Sequence, residues 1–139
     1  MRKPSIFTQI IRGELGADIV AEDLHHIAFL DISPVTKGHV LVVPKKEVDR
    51  LFDLADDDLA SLMRFAKKVV RGMKVVISCQ RIGLHVHGLE VPHAHIHLVP
   101  IVEGEPHHFP RSPINCTVAE RRGMAKAMRQ AIGIHLSTP

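Results

Sequence analysis

The sequence has no tryptophan and no tyrosine, and only five of its 139 residues are phenylalanine. The volume of any core must therefore come mainly from Leu, Ile, Val, Met and Ala, within a hydrophobic fraction of 45%. A chain of this length and composition can bury one ordinary core, and it is short for two independent domains. We therefore expect a single domain over residues 1–139.

Cysteine and long apolar runs are also scarce. Cys79 and Cys116 stand far apart, and neither has a second cysteine nearby. This excludes a disulfide framework and a CxxC metal or redox site. No apolar stretch has the length of a signal-peptide core or of a membrane-spanning helix. We therefore expect a reducing, cytoplasmic location and no membrane partner.

Charge of one sign is not concentrated anywhere in the sequence. Lys and Arg number 18 against 15 Asp and Glu, which gives a net charge of +3 at pH 7. The basic residues are dispersed and do not alternate with aromatic residues as in nucleic-acid-binding motifs. A mild positive excess helps anionic small molecules to approach, and it does not imply a nucleic acid partner.

Hydrophobic periodicity predicts an α+β domain with a mainly antiparallel sheet of about five strands. Three helices are expected: a short N-terminal one, a long central one and a C-terminal one. The predicted helices are Ile6–Arg12 after the Ser5 cap, a helix from Asp56 to about Lys74, and a helix from a Thr117–Glu120 capping box to Ile132, ended by Gly133. The predicted strands are Ile19–Ala21, Ile27–Leu30, His39–Val43, Arg81–His87 and His93–Val99.

Histidine occupies every second position from His93 to His97, with His95 between them. Because a strand sends alternate side chains to opposite faces, the three imidazoles are expected on one face, with Ala94 and Ile96 on the other. Such a row spans about 13 Å, close to the length of a nucleotide's phosphate and sugar. Three titratable rings on one face of a strand indicate a catalytic or binding role, because core packing would favour apolar side chains there.

Two other interpretations compete with this one. An isolated histidine is usually structural, which we expect for His25, His26, His107, His108 and His135. For the row, the main rival is a metal site, because two histidines two residues apart on a strand can share a zinc ion. A straight strand does not bring the outer two rings to one ion, and no cysteine pair or acidic cluster completes the ligand shell. We therefore expect no metal and no other cofactor.

Imidazole is suited to nucleophilic attack on phosphorus without a metal. Its ordinary pKa of roughly 6.5 leaves the ring largely neutral, with a free lone pair, at cellular pH. The product, a phosphorylated imidazole, can be opened by water in a second step. Neighbouring imidazoles and backbone N–H groups can stabilise the phosphoryl oxygens and deliver a proton to the leaving group.

The run from His93 to Val99 resembles the signature of the histidine-triad (HIT) family, in which histidine alternates with apolar residues and two apolar residues follow. Three further blocks resemble the family in the same order, Ser5–Glu14, Ala28–Pro34 and Gly38–Lys46. The resemblance runs from about residue 6 to 101. It implies a single HIT domain of the HIT-like α+β fold, with a C-terminal helical extension over about residues 117–132.

The resemblance also implies a set of site residues. It implies that His95 is the nucleophile and that His97 contacts the α-phosphate. It also implies that His93 orients the nucleophilic ring and that His39 lies near the phosphates. It implies that Asp31 binds the ribose hydroxyls. The other nucleotide-binding residues that it implies are Ile32, Phe29, Phe7, Ile6, Glu90 and Val91.

The resemblance implies a homodimer with a shared sheet and a purine nucleotide substrate. The leading function is hydrolysis or transfer at the α-phosphate of AMP-like conjugates, of the purine nucleoside phosphoramidate type, through a covalent nucleotidyl-histidine. A dinucleoside polyphosphate hydrolase is the second possibility within enzymes. A nucleotide-binding interaction protein without turnover is the third.

The sequence departs from the family pattern just before the triad. The family commonly carries an Asn, a Gly-rich loop and then a Gln three residues before the first triad histidine. Here the strand ends in Leu84–His87, the connection at Gly88 and Leu89 is short, and the Gln position is Glu90. A carboxylate thus replaces an amide at a position expected to face the leaving group. The Trp-containing C-terminus of the phosphoramidase (Hint) branch is absent as well.

Overall fold

The computed structural model describes residues 3–108 and 112–136. Within these ranges it contains helices α1 (Ile6–Ile11), α2 (Asp56–Val76) and α3 (Val118–Leu136), and strands β1 (Ile19–Glu22), β2 (His26–Leu30), β3 (Val40–Pro44), β4 (Arg81–His85) and β5 (Ile96–Ile101), with a 3-10 turn at Leu51–Asp53. The expected α+β class, the five strands and the three helices are confirmed. No helix in the described ranges is both long and apolar enough to span a membrane.

The sheet has the strand order β1-β2-β3-β5-β4, and each neighbouring pair is antiparallel. Its central strands β2 and β3 are buried on both faces. One face packs against α2 and α3 through the aliphatic side chains Ala28, Leu30, Val40, Val42, Ile96 and Leu98. The opposite face carries Ile27, Phe29, Leu41 and Val43, which pack with Phe7 of the short helix α1. The candidate site lies on this second face.

Local signals explain where the helices begin, and packing explains where α3 ends. The Ser5 hydroxyl accepts a hydrogen bond from the backbone N–H of Thr8 at 3.0 Å, and the Thr117 hydroxyl accepts one from the N–H of Glu120 at 3.1 Å. The predicted stop at Gly133 is wrong, because α3 continues to Leu136. Ile132 just before it is fully buried in the core, so tertiary packing outweighs the weak helix propensity of glycine.

The last strand begins later than the sequence pattern predicts. Val42 pairs with Ile96, so continuing the ladder by two positions would place Pro44 opposite Ala94. Proline has no N–H to donate, so the ladder stops, and Ala94 donates instead to the carbonyl of Val48 at 2.6 Å. The predicted strand from His93 is therefore wrong in its first three residues. The predicted strand Arg81–His87 likewise ends two residues early, at His85.

A glycine sets the distance between α2 and α3. A Cβ atom added to Gly72 would lie 2.2 Å from the Cγ1 atom of Ile132 and 2.6 Å from its Cα atom. The second contact is with backbone, which cannot move aside as a side chain can. Gly72 is therefore the position that lets the two helices approach closely enough to bury Ile132.

Gly72→Ala should lower the free energy of unfolding by about 1–2 kcal/mol, because overpacking at the helix crossing outweighs the roughly 1 kcal/mol that alanine gains in helix propensity. Gly123→Ala on α3 is the matched control, since nothing lies within 4 Å of its added Cβ atom. That variant should be as stable as the wild type or more so. Urea unfolding checks both, and equal stability of the two variants would contradict the packing argument.

Candidate active site

A cavity of about 470 Å³ opens on the α1 face of the sheet. Ten of the eleven residues proposed from the sequence line it: Ile6, Phe7, Phe29, Asp31, Ile32, His39, Glu90, Val91, His95 and His97. A larger and more open cavity of about 640 Å³ lies beside the start of α3 and contains none of these residues. We place the site in the smaller cavity because the titratable side chains converge there.

The ring of His95 is held by a main-chain carbonyl. Its Nδ1 atom lies 2.7 Å from the carbonyl oxygen of His93. A carbonyl oxygen only accepts, so Nδ1 carries the proton, and in the neutral ring the lone pair resides on Nε2. The ring is 3% exposed, and it meets the rings of Phe7 and His97 edge-on with centroid distances of 5.0 Å. This is the tautomer that a histidine nucleophile requires.

His93 lies behind the cavity and does not line it. The ring is fully buried, and its Nε2 atom donates to the Pro44 carbonyl oxygen at 2.8 Å. Its Nδ1 atom therefore accepts, and the Ser5 hydroxyl donates to it at 2.6 Å. The three imidazoles lie on the α1 side of the sheet as expected, since the His93 ring meets that of Phe7 edge-on with a centroid distance of 5.8 Å, but His93 does not reach the cavity. Its contact with the nucleophile runs through its carbonyl group, because the ladder ends before residue 93.

The rings of His39 and His97 form a chain of hydrogen bonds that begins at the backbone. The N–H of Val35 donates to Nδ1 of His39 at 3.1 Å, so the proton of that neutral ring is on Nε2. This Nε2 lies 2.9 Å from Nδ1 of His97 and donates to it. His97 then carries its own proton on Nε2. A backbone amide thereby makes His97 a hydrogen-bond donor on the cavity wall.

The remaining lining is mostly apolar, with two carboxylates, Asp31 and Glu90. The rings of Phe7 and Phe29 meet edge-on with a centroid distance of 5.5 Å. Asp31, directly after β2, accepts a hydrogen bond from the N–H of Ser33 at 2.8 Å. Sequence reasoning missed the lining residues Ile10, Leu15, Gly16, Ala17, Leu30, Ser33, Val35, Leu41 and Pro113. Most of them lie in the loops that follow predicted helices and strands. No local pattern marks such loop residues, and only the folded chain shows that they line the cavity.

A family model for the HIT domain matches residues 12–104, well over half of the chain. The chain belongs to the HIT family. An uncharacterised HIT-like protein of Methanocaldococcus jannaschii is 42% identical over 104 residues, which cover 72% of this chain and 81% of that protein. An adenosine 5'-monophosphoramidase of Schizosaccharomyces pombe is 35% identical over 97 residues, covering 68% of this chain and 72% of that enzyme. The resemblance inferred from the sequence is therefore confirmed.

Solved structures agree with this assignment to the HIT family. A HIT-like protein from Bartonella henselae superposes with a TM-score of 0.82 at 29% identity, covering 94% of this chain and 97% of that one. A Zn-bound histidine triad family protein from Mycobacterium smegmatis has a TM-score of 0.80 at 25% identity, and the match covers 95% of each chain. The HIT-like fold expected from the four sequence blocks is thus confirmed.

Among residues 3–108 and 112–136, one group could hold a metal ion, and it contains a single histidine of the row, His97. Asp31, His39 and His97 each offer one ligand atom, and these atoms lie within 4.8 Å of one another. Two imidazoles and a carboxylate are ligands that zinc accepts. Their present contacts are with each other: Nε2 of His39 lies 3.6 Å from Asp31 Oδ2 and 2.9 Å from Nδ1 of His97.

Burial lowers the pKa of three histidines of the HIT site, His39, His93 and His97. Desolvation lowers the pKa of His39, and the Asp31 carboxylate only partly opposes this effect. Desolvation also lowers the pKa of His93, and it lowers that of His97 to about 3, where the nearby imidazoles of His39 and His95 add to the shift. At neutral pH, His97 and His39 therefore act as neutral hydrogen-bond donors and not as cations.

The protein should lose stability as the pH falls below 6.5, because the unfolded chain then binds protons that the buried rings do not. With a folded pKa of about 3 against the ordinary 6.5, the stability contributed by neutral His97 is intact above pH 6.5 and is lost progressively toward pH 3. By pH 5 this one ring accounts for a loss of about 2 kcal/mol.

Urea unfolding at several pH values, with a chelator present, measures this loss. His97→Asn removes the titrating ring, so its unfolding free energy should fall less steeply between pH 7 and pH 5. An unchanged slope would mean that His97 takes up protons over that range to the same extent in the folded and the unfolded protein.

Proposed function

We propose that this protein is a nucleotide hydrolase or transferase that attacks the α-phosphate of AMP-like conjugates through His95, with purine nucleoside phosphoramidates as the substrate class. The observation that carries the proposal is the 2.7 Å hydrogen bond from His95 Nδ1 to the His93 carbonyl. It leaves a lone pair on Nε2 of a ring that lines a cavity of nucleotide size. The adenosine 5'-monophosphoramidase activity named for a 35% identical relative supports the substrate class.

The proposed reaction has two displacements at phosphorus. In the first, Nε2 of His95 forms a bond to the α-phosphorus, the bond from phosphorus to the leaving nitrogen breaks, and the leaving amine takes up a proton from solvent. In the second, water attacks the nucleotidyl-histidine and gives up a proton to solvent, which releases AMP and restores the neutral ring. The Nε2–H of His97 donates to a non-bridging phosphoryl oxygen, where negative charge develops in both steps.

The rest of the cavity fits the nucleoside. Phe7, Phe29 and Ile32 offer apolar surface for a purine base, and Asp31 at the end of β2 can accept hydrogen bonds from ribose hydroxyls. No lysine or arginine of residues 3–108 and 112–136 lines this cavity. A lining without cations suits a substrate with one phosphate better than one with a chain of them.

The homodimer implied by family resemblance remains a prediction, and the edge of the sheet supports it. Strand β4 is at the end of the strand order, so its outer side can pair with a second copy. Beside it, a groove between α2 and β4 carries Met63 and Leu84, which are 43% and 45% exposed. Pairing two β4 strands would extend the sheet and cover this apolar surface. The cytoplasmic location likewise stays a prediction.

His95→Ala should reduce turnover of an adenosine phosphoramidate by at least about 1,000-fold, because bond formation to phosphorus is lost. Nucleotide affinity and the fold should change little. His107→Ala is the matched control: His107 is exposed and does not line the cavity, so this variant should turn over like the wild type. Mass spectrometry of quenched wild-type protein should detect AMP on His95.

Turnover by His95→Ala close to the wild-type level would disprove this role. The same assay after exhaustive chelation examines the alternative, since the proposed attack uses imidazole and not a metal-bound hydroxide. Loss of activity on chelation, with recovery on adding zinc, would instead favour a metal held by Asp31, His39 and His97.

Glu90 should select against anionic leaving groups. It is exposed and lines the cavity with His95 and His97. A carboxylate about 4 Å from a phosphate is repelled by about 1 kcal/mol in water and about 4 kcal/mol near a protein surface. Glu90→Gln should therefore raise kcat/KM for dinucleoside polyphosphates relative to aminoacyl phosphoramidates, by roughly tenfold.

Competition between the two substrate classes measures this ratio directly. The matched control is Glu103→Gln, which removes an exposed carboxylate that does not line the cavity. If the ratio moves equally in both variants, or in neither, Glu90 is not a selectivity element.

A further inference from the structure

Four polar side chains that do not line the cavity meet at the start of α1. Oε1 of Glu47 accepts two hydrogen bonds, from the N–H of Ser5 and from the hydroxyl of Thr8, both at 2.7 Å. The Ser5 hydroxyl lies 2.6 Å from Nδ1 of His93, and Glu47 Oε1 lies 3.9 Å from the same nitrogen. We call Ser5, Thr8, Glu47 and His93 the Glu47 cluster.

Each donor in the Glu47 cluster has a defined acceptor. Nε2 of His93 gives its proton to the Pro44 carbonyl, so Nδ1 must accept, and the Ser5 hydroxyl gives it the one proton it has. The Ser5 oxygen in turn accepts from the N–H of Thr8 at 3.0 Å. The Thr8 hydroxyl proton goes to Glu47. The Pro44 carbonyl and the Glu47 carboxylate, which only accept, therefore set the directions of these bonds from the two ends of the cluster.

The carboxylate is ionised under all ordinary conditions. The hydrogen bonds from the Thr8 side chain and from the Ser5 backbone lower the pKa of Glu47 to about 2. Hydrogen bonds to an ionised acceptor are roughly twice as strong as those between neutral groups. Glu47 thus binds Ser5 and Thr8 more firmly than a neutral acceptor would.

The segment around Glu47 also holds the start of the triad through the backbone. The Pro44 carbonyl accepts from the His93 ring at 2.8 Å, and the Val48 carbonyl accepts from the N–H of Ala94 at 2.6 Å. Residues 44–48 therefore contact residues 93 and 94 on both sides of Glu47. Because the His93 carbonyl accepts from Nδ1 of His95, any shift of residue 93 is passed directly to the nucleophilic ring.

We propose that Glu47 is a positioning residue, which holds His93 through Ser5 and so keeps His95 in its Nδ1–H tautomer. Glu47 does not line the cavity, so it would act without touching the substrate. The kinetic consequence of this role rests on the function proposed above. The effect on the His95 ring does not, because it can be observed without any substrate.

The test that needs no substrate is the tautomer of His95, read from long-range ¹H–¹⁵N correlation spectra. The wild type should show one Nδ1–H form. Glu47→Ala should show a mixture of tautomers, and Glu47→Gln, which keeps an acceptor oxygen in place, should restore the single form. Glu22→Ala is the matched control, since it removes a carboxylate that binds Lys45 at 2.7 Å on the protein surface; its spectrum should match the wild type.

Kinetics separate positioning from a general structural effect. Glu47→Ala should lower kcat by about 10- to 100-fold while KM changes by less than about threefold, because a misplaced nucleophile affects the chemical step. Collapse of α1 would instead raise KM, since Ile6 and Phe7 line the cavity. Ser5→Ala breaks the same link, so the double variant Ser5→Ala/Glu47→Ala should lose no more than the worse single variant.

Two results would overturn the proposal. One is an unchanged His95 tautomer in both Glu47→Ala and Ser5→Ala. The other is fully additive losses in the double variant, which would mean that Glu47 does not act through Ser5. If Glu47→Ala does not fold, the spectrum of Ser5→Ala decides alone. If the wild type turns over no phosphoramidate, the spectra still decide the role of Glu47, and only the proposed function fails.

Discussion

The hydrogen bond from His95 to the carbonyl oxygen of His93 is the constraint on which the rest of the site depends. A carbonyl accepts and never donates, so the bond determines which ring nitrogen carries the lone pair at any pH that leaves the ring neutral. The same logic recurs at His93, which faces the Pro44 carbonyl, and at His39, which faces the Val35 amide. Main-chain groups thus assign the protons of the whole histidine cluster.

Pro44 connects this proton arrangement to the fold. As the last residue of β3 it ends the ladder with β5, because it has no N–H to offer. The chain before Ile96 is thereby released from the sheet, and His93 turns its ring into the protein while its carbonyl faces His95. The carbonyl of Pro44 then binds that buried ring. Pro44 therefore both ends the pairing of β3 with β5 and accepts the hydrogen bond that holds the His93 ring.

Sequence reasoning reached most of the fold and most of the cavity lining. Alternating and helical periodicities are local, so strands such as Ile27–Leu30 and the Thr117 cap could be inferred without knowing their partners. The position of His93 could not, because it depends on the residue that stands opposite in β3. The roles of Glu47 and Val35 could not either, since their partners are 46 and four residues away and no spacing rule joins them.

The neutrality of His39 and His97 at neutral pH has a consequence for how a charged ligand would bind in this cavity. A cationic cleft attracts phosphates over several ångströms, and dissolved ions weaken that attraction steeply. Here His97 presents an N–H group without a net charge, and His39, whose own N–H donates to His97, is uncharged as well. For the proposed nucleotide substrate, recognition would therefore rely on short-range contacts whose strength depends little on ionic strength. A site of this kind would distinguish between ligands after they have entered the cavity. It would add little to their association rate constants.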